Sequence, residues 1–189
     1  KGEFEFIPLK FGLNEKQLAT IAVDLHTLPG VAIEAQLIRE YPHREILGHA
    51  LGYVGRISGR DLEILDKDRY RGTLHTGKIG LEKRYEAELQ GDPGFQHVEA
   101  DAHGRVLRIL KRQPPQRGLD LRLHLDLDLQ LVASEAFSSH CGAVVAMDPA
   151  TGGILAMVSN PNFDPNLFVN GISIDEYAKL RESEQSPLL

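Results

Sequence analysis

The chain has one cysteine, Cys141, which excludes an intrachain disulfide framework. No apolar run approaches the roughly 20 residues needed to span a bilayer. Basic residues are not in excess. Lys and Arg number 21 against 27 Asp and Glu, and the net charge of −6 argues against a protein that coats nucleic acid. The sequence has no internal repeat and no low-complexity segment. What is present is ordinary for a folded protein: 42% hydrophobic and 25% charged residues, in 189 positions that suffice for one domain or two small ones.

Signatures of chemistry are missing as well. A serine nucleophile is often activated by a lysine one helical turn on, in Ser-x-x-Lys. Three residues after Ser58, Ser134, Ser138, Ser139, Ser159, Ser173, Ser183 and Ser186 stand Asp61, Phe137, Cys141, Gly142, Asn162, Glu176, Ser186 and Leu189, so none qualifies. Gly-x-Ser-x-Gly is absent. His43 and His49 are six apart, as are His97 and His103, which is not the helical i, i+4 spacing of a metal pair. His140 and Cys141 are adjacent, a poor geometry for one ion. Surface histidines and a small buried Cys141 are the expectation. "HTGKIG" (75–80) resembles a phosphate loop but lacks its first glycine and the Ser/Thr after Lys78. No catalytic, cofactor-binding or metal-binding residue is therefore assigned. The basic run Arg105, Arg108, Lys111, Arg112 and Arg117 could face a phosphate-rich surface, but a solvated strand face is favoured.

Residues 1–11 alternate around Phe4, Phe6 and Leu9, which suits a short strand. A helix follows, with Asn14 and Gln17 as its capping box, Leu18, Ile21, Ala22 and Leu25 on one stripe, and Pro29-Gly30 at its end. Alternation predicts a strand over 31–37. Short helices are expected over 44–51 and from the Ser58/Asp61 pair, a polar loop over 66–76, and a helix over 79–90. Two strands at 95–101 and 105–111 flank the turn 102–104, and the prolines of 112–118 make that stretch a linker. Leucine then occupies every odd position from Leu119 to Leu131. We divide this run into a strand at 120–125 and a helix at 127–138, capped by Asp126 or Asp128. "GAVVAMDPATGGILAMVSNP" (142–161) is a hairpin. Strands mixed with short helices, without regular β-α alternation, give an α+β fold.

Four stretches, in order, resemble class B penicillin-binding proteins. "YPHREILGHALGYVGRIS" (41–58) is similar to their YP…HxxGYVGxI segment, and "GKIGLEKRYEAELQG" (77–91) to their GxxGlEkxYexxLxG helix. "GRVLRILKRQPPQRGLDLRLHLDLDLQ" (104–130) resembles the strand, proline-containing connection and helix start that lead into the transpeptidase domain. The stretch 142–173 resembles that domain's opening hairpin, and its "FDPNLFVNGIS" ending is most similar to the cell-elongation branch.

The resemblance implies a pedestal domain over 1–118 with dimerisation and partner roles, its head within 10–75 and its anchor within 77–118. The start of a transpeptidase domain over 119–189 would follow. For the parent protein it implies a serine D,D-transpeptidase that cross-links peptidoglycan stem peptides in cell elongation and reacts with β-lactams. The implied partners are a RodA-type glycosyltransferase and an MreC-type scaffold, with an inner-membrane, periplasm-facing location through an N-terminal helix preceding Lys1. No cofactor and no nucleic acid are implied. The family's Ser-x-x-Lys, Ser-x-Asn and Lys-Thr-Gly motifs do not occur here, so this chain is expected to be an internal fragment serving as support and interaction module. The alternative is an inactive structural protein of the cell envelope, complete at 189 residues. A truncated sheet should also leave an apolar face uncovered, so self-association, or disorder past about residue 125, is expected.

Two outcomes follow. The encoded residues after Leu189 should contain Ser-x-x-Lys within a few tens of positions, and a stop codon directly after Leu189 would sink the fragment reading. Fluorescent penicillin should leave residues 1–189 unlabelled.

Overall fold

The computed structural model describes residues 7–66, 68–70, 72–101, 106–137, 140–183 and 187–188. The first six positions of the expected N-terminal strand lie outside the described residues, and 7–10 have no regular structure. Helix α1 (Glu15–Asp24) starts as its sequence dictates. Asn14 Oδ1 accepts from the Gln17 N–H at 2.8 Å, and Gln17 Oε1 accepts from the Asn14 N–H at 3.3 Å. A 3₁₀ turn (Leu25–Thr27) ends it before Pro29. No residue of α1 is buried.

The strand expected at 31–37 does not form; residues 31–40 have no regular structure and Leu37 is fully exposed. Alternation supplies only a face, and no neighbouring strand among the described residues supplies the ladder. The 44–51 element does form, as a 3₁₀ turn (Arg44–Leu47) running into α2 (Gly48–Leu51). Strand β1 (Val54–Arg56) then pairs antiparallel with β2 (His75–Gly77), Val54 facing Gly77 and Arg56 facing His75. β2 cuts into the end of the stretch expected to be loop, because a three-residue strand of His, Thr and Gly carries no apolar alternation. Between them lies α3 (Asp61–Ile64), whose start uses the Ser58/Asp61 pair: Asp61 Oδ2 accepts from the Ser58 N–H at 2.6 Å.

The helix expected over 79–90 is broken in two, α4 (Gly80–Arg84) and α5 (Glu86–Leu89), by Tyr85 at φ −111°, ψ 23°. Two glycines set where it begins. Gly52 (φ +75°) and Gly80 (φ +65°) cross backbone to backbone: a Cβ on Gly52 would lie 2.0 Å from the Ile79 carbonyl oxygen, and one on Gly80 would lie 2.6 Å from the Gly52 nitrogen. Both positions combine a left-handed backbone with contact that no side chain survives.

Strands β3 (Phe95–Ala100) and β4 (Val106–Gln113) form the expected antiparallel ribbon, with register shifts between His97 and Val98 and between Glu99 and Ala100. The stretch 112–118 is not a free linker. β4 runs to Gln113, Asp92 and Gln116 exchange backbone bonds at 2.9 Å, and Leu119 donates to the Glu88 carbonyl at 2.7 Å. Its prolines follow the last strand residue, where a missing N–H costs nothing. Residues 120–125 form no strand, again for want of a ladder partner among the described residues.

Helix α6 (Leu127–Phe137) begins where Asp126 Oδ1 caps the Leu129 N–H at 3.0 Å. Strands β5 (Gly142–Met147) and β6 (Ile154–Asn160) make the hairpin; its Asp148–Gly153 turn is closed by Asp148 Oδ1 accepting from Ala150 N–H at 2.9 Å. α7 (Asn166–Val169) and α8 (Ile174–Glu182) follow, the latter opening on a Ser173/Glu176 capping box. One face of the hairpin stays open, with Val145 and Met147 more than half exposed. Two-stranded sheets β1-β2, β3-β4 and β5-β6 with short helices make the fold α+β.

The buried apolar residues lie where the two ends of the chain meet: Tyr41 from the first half, and Ala156, Val158, Phe163, Phe168 and Val169 from the second. Tyr53 stacks on Phe168 with centroids 4.0 Å apart, and Phe163 stands edge-on to His49 at 5.1 Å and to Phe168 at 5.7 Å.

Gly52→Ala should destabilise the chain by about 3 kcal/mol, from left-handed strain plus overpacking against Ile79. Gly59→Ala, with no atom within 4 Å of the added methyl, should stay within about 0.5 kcal/mol of the wild type. Urea unfolding midpoints compare the two.

Candidate functional site: the seam between the two halves

The densest polar bonding runs along the same seam as the core. Gln130, in the first turns of α6, is fully buried. Its carboxamide takes both backbone groups of Met157 on β6: Oε1 accepts from the Met157 N–H at 2.8 Å, and Nε2 donates to the Met157 carbonyl at 2.7 Å. The second Nε2 proton goes to the Ile46 carbonyl at 2.8 Å, in the 3₁₀ turn of the first half. One step along, the Asp126 N–H donates to the Leu155 carbonyl at 2.8 Å. One side chain and one backbone amide thus close the edge of β6 at Leu155 and Met157.

A second carboxamide repeats the device. Asn166 Oδ1 accepts from the Tyr41 N–H at 2.9 Å, and Asn166 Nδ2 donates to the Tyr41 carbonyl at 2.9 Å. Asp164 Oδ1 orients it, accepting from Nδ2 at 2.8 Å. Tyr41 continues inward: its hydroxyl accepts from the Val54 N–H at 2.9 Å and donates to Glu82 Oε1 at 3.1 Å. Burial first, and then the Glu82 charge, push the Tyr41 hydroxyl far above its ordinary pKa, so it remains a donor. Glu82 is buried but compensated, for Arg39 meets both carboxylate oxygens, Nε at 3.0 Å from Oε1 and Nη2 at 3.3 Å from Oε2. His49 adds a third crossing, its Nε2 lying 3.1 Å from the Pro161 carbonyl. At Gly48 the halves touch so closely that a Cβ would sit 2.5 Å from the Phe163 carbonyl oxygen.

The residues weighed in the sequence fall elsewhere or serve structure. His43 is exposed, His97 stands edge-on to Phe95, and His140 turns back to the Phe137 carbonyl. Cys141 is exposed, correcting the buried placement: it precedes β5 and its side chain enters no core. His103 and Arg105 lie outside the described residues. No group of three or more His, Cys, Asp or Glu able to hold a metal occurs among the described residues.

In "HTGKIG" the amide that a phosphate would need is taken, because the Gly77 N–H donates to Glu86 Oε2 at 2.8 Å. The same carboxylate accepts from the Tyr70 hydroxyl at 3.0 Å, whose pKa burial and the Glu86 charge raise to about 12. Lys78 is bonded to Asp61. In the basic run, Arg108 pairs with Glu99 and Arg117 with Asp120 on exposed surfaces, so these read as solvated faces. Sequence reasoning missed Gln130, Asn166 and Glu82. The one local signal was Gln130 itself, an amide beside the leucines of a helix start.

A profile described as the penicillin-binding protein dimerisation domain matches residues 1–123. The chain belongs to the penicillin-binding protein family. A second profile, the penicillin-binding protein transpeptidase domain, matches residues 142–186. Tyr41, Ile46, His49 and Glu82 thus lie within the first match and Met157, Pro161 and Asn166 within the second, while Gln130 lies between them.

Among curated relatives, the chain is 50% identical over 184 residues to peptidoglycan D,D-transpeptidase MrdA of Acinetobacter baumannii, covering 97% of this chain and 27% of that protein. It is 43% identical over 190 residues to MrdA of Escherichia coli K12, covering 98% and 30%. The chain therefore spans between a quarter and a third of these relatives. Among solved structures, Helicobacter pylori PBP2 in complex with MreC superposes with TM-score 0.79 at 32% identity, over 93% of this chain and 32% of that one. Pseudomonas aeruginosa PBP2 in complex with WCK 5153 gives TM-score 0.71 at 42% identity, over 84% and 31%. No helix among the described residues is long and apolar enough to cross a membrane.

Two outcomes test this geometry. Asn166→Ala removes both bonds to the Tyr41 backbone and should cost about 2 kcal/mol of unfolding free energy. Separately, hydrogen bonds from Lys78 and then from Ser58 hold the Asp61 carboxyl at about 2, below its ordinary 3.8. A group lowered by folding stabilises the fold when ionised, so its contribution is complete above about pH 4 and drains away as the pH falls towards 2. Asp61→Asn should flatten that limb of the acid-unfolding curve, read by circular dichroism.

Proposed function

We propose that this chain is the pedestal, residues 1–118, and the opening elements, residues 119–189, of a peptidoglycan D,D-transpeptidase of the MrdA type acting in cell elongation. The observation that carries the reading is the ordered pair of family matches joined by one buried seam. In this reading the natural protein acylates a serine supplied by chain outside these residues. The serine oxygen attacks the carbonyl of the penultimate D-Ala of a stem peptide, a lysine takes its proton, and terminal D-Ala leaves with a proton on its nitrogen. An amine of a second stem peptide then displaces the serine and completes the cross-link. Residues 1–189 hold none of that machinery. Their task is to carry the transpeptidase sheet on a fixed support and to offer partner surfaces.

The partner read for the pedestal is an MreC-type scaffold, supported by the likeness to the H. pylori PBP2–MreC complex. A RodA-type glycosyltransferase is proposed on the family resemblance alone. The location is the periplasmic face of the inner membrane. The reading of an inactive envelope protein is not favoured, since the relatives carrying these segments are transpeptidases.

The test is fluorescent penicillin on two proteins. The natural protein containing this sequence should label covalently, at a serine in Ser-x-x-Lys, and residues 1–189 should not. Failure of the longer protein to label would overturn the enzymatic reading. Binding of the longer protein to the cognate MreC-type protein, measured by calorimetry, tests the support role, and no measurable heat would remove that partner.

A further inference from the structure

We propose that Gln130 is a positioning residue of the transpeptidase, setting the angle at which the β5-β6 hairpin leaves the pedestal. The inference rests on the reading above and adds to it a specific residue and a way in which it acts. Gln130 lies between the two family matches, yet it is the fully buried polar side chain of the seam. All of its hydrogen-bonding capacity toward backbone is spent on two elements that share no strand ladder. One bond goes to the Ile46 carbonyl, and two go to Met157 in the middle of β6.

A carboxamide is the side chain suited to this. It offers two donors and an acceptor in one plane, so it satisfies both backbone groups of Met157 as a neighbouring strand would and still has a proton for Ile46. A leucine or methionine fills the same volume but leaves three backbone groups unpaired in a dry site. A glutamate keeps the acceptor and turns both donors into repulsion against two carbonyl oxygens.

The 3₁₀ turn that presents Ile46 is itself held firmly. Arg44 in that turn takes a left-handed backbone at φ 43°, a cost tolerated only where the surroundings fix it, and its guanidinium faces Asp164 across the seam at 3.9 Å. Asp164 also orients the Asn166 amide that grips Tyr41. The turn thus touches the second half through a rigid carbonyl and a charge, and Gln130 converts the position of that carbonyl into the position of Met157. A shift in the turn must move β6 or break a buried hydrogen bond.

The test uses the natural protein and penicillin acylation, separating the affinity of the first complex from the rate of acylation at saturation. Gln130→Met should remain folded by circular dichroism and bind penicillin nearly as well, while its acylation rate falls about tenfold or more, because the hairpin that opens the transpeptidase domain is misplaced. Gln130→Glu should show the same loss at neutral pH. Its rate relative to wild type should rise as the pH is lowered, since a protonated carboxyl regains one donor, while the folded fraction read by circular dichroism stays constant over the same range; a rise that only tracks the folded fraction would mark a structural defect and overturn the proposal. Equal acylation rates in wild type and both variants would overturn the proposal, as would a loss in Gln130→Glu that does not change with pH. If Gln130→Met does not fold, the pH profile of Gln130→Glu decides alone. Absence of acylation in the wild type would instead strike the enzymatic reading, so the two failures are told apart.

Discussion

The rest of this structure depends on one amide. A two-stranded hairpin is marginal on its own, since half its backbone groups face outwards and one face lacks cover. Here β6 is held at its outer edge by Gln130 and by the Asp126 N–H, at Met157 and Leu155. With that edge fixed, Ala156 and Val158 turn into the seam, and Phe163, Phe168 and Val169 fall in behind them. The apolar core is therefore a result of the polar clasp as much as its cause. Outside the seam little is buried: α1 buries no residue and β3 is exposed along its whole length.

Tyr41 plays the reciprocal part from the first half. Its backbone is read by Asn166 as Met157 is read by Gln130, and its hydroxyl links the Val54 amide to a carboxylate that Arg39 neutralises. An unpaired Glu82 at that depth would be costly, and the bidentate guanidinium makes it tolerable. Both halves thus rely on a side-chain amide imitating a β-bridge. This lets two segments far apart in sequence pair without belonging to one sheet, and explains how small sheets with few neighbours hold together.

What the sequence disclosed follows from how local each cause is. The capping boxes at Asn14/Gln17, the start of α6 at Asp126 and the hairpin turn at Asp148–Gly153 depend on residues within a few positions, and all were legible. The strands expected at 31–37 and 120–125 fail for a reason that alternation cannot encode: a strand needs a partner, and none among the described residues lies beside them. The docking of 112–118 is set by tertiary contacts of Asp92, Leu89 and Gln116. The seam was legible only as family resemblance. "YPHREILGH" and "FDPNLF" mark the two surfaces, but nothing in either says that they touch, and 125 positions separate Tyr41 from Asn166.

The crossing of Gly52 over Gly80 limits how this protein can change over time. In most packed pairs, a residue that grows can be accommodated by a neighbour that shrinks. Here both partners are already the smallest residue there is, and each faces the other's backbone, which no substitution reduces. A larger residue at either position has no second-site remedy within the pair; the only relief is to move one chain segment off the other, which would pull α4, and Glu82 with it, away from Tyr41. The two glycines are thus fixed by each other, and they carry the seam's geometry from one generation of the sequence to the next.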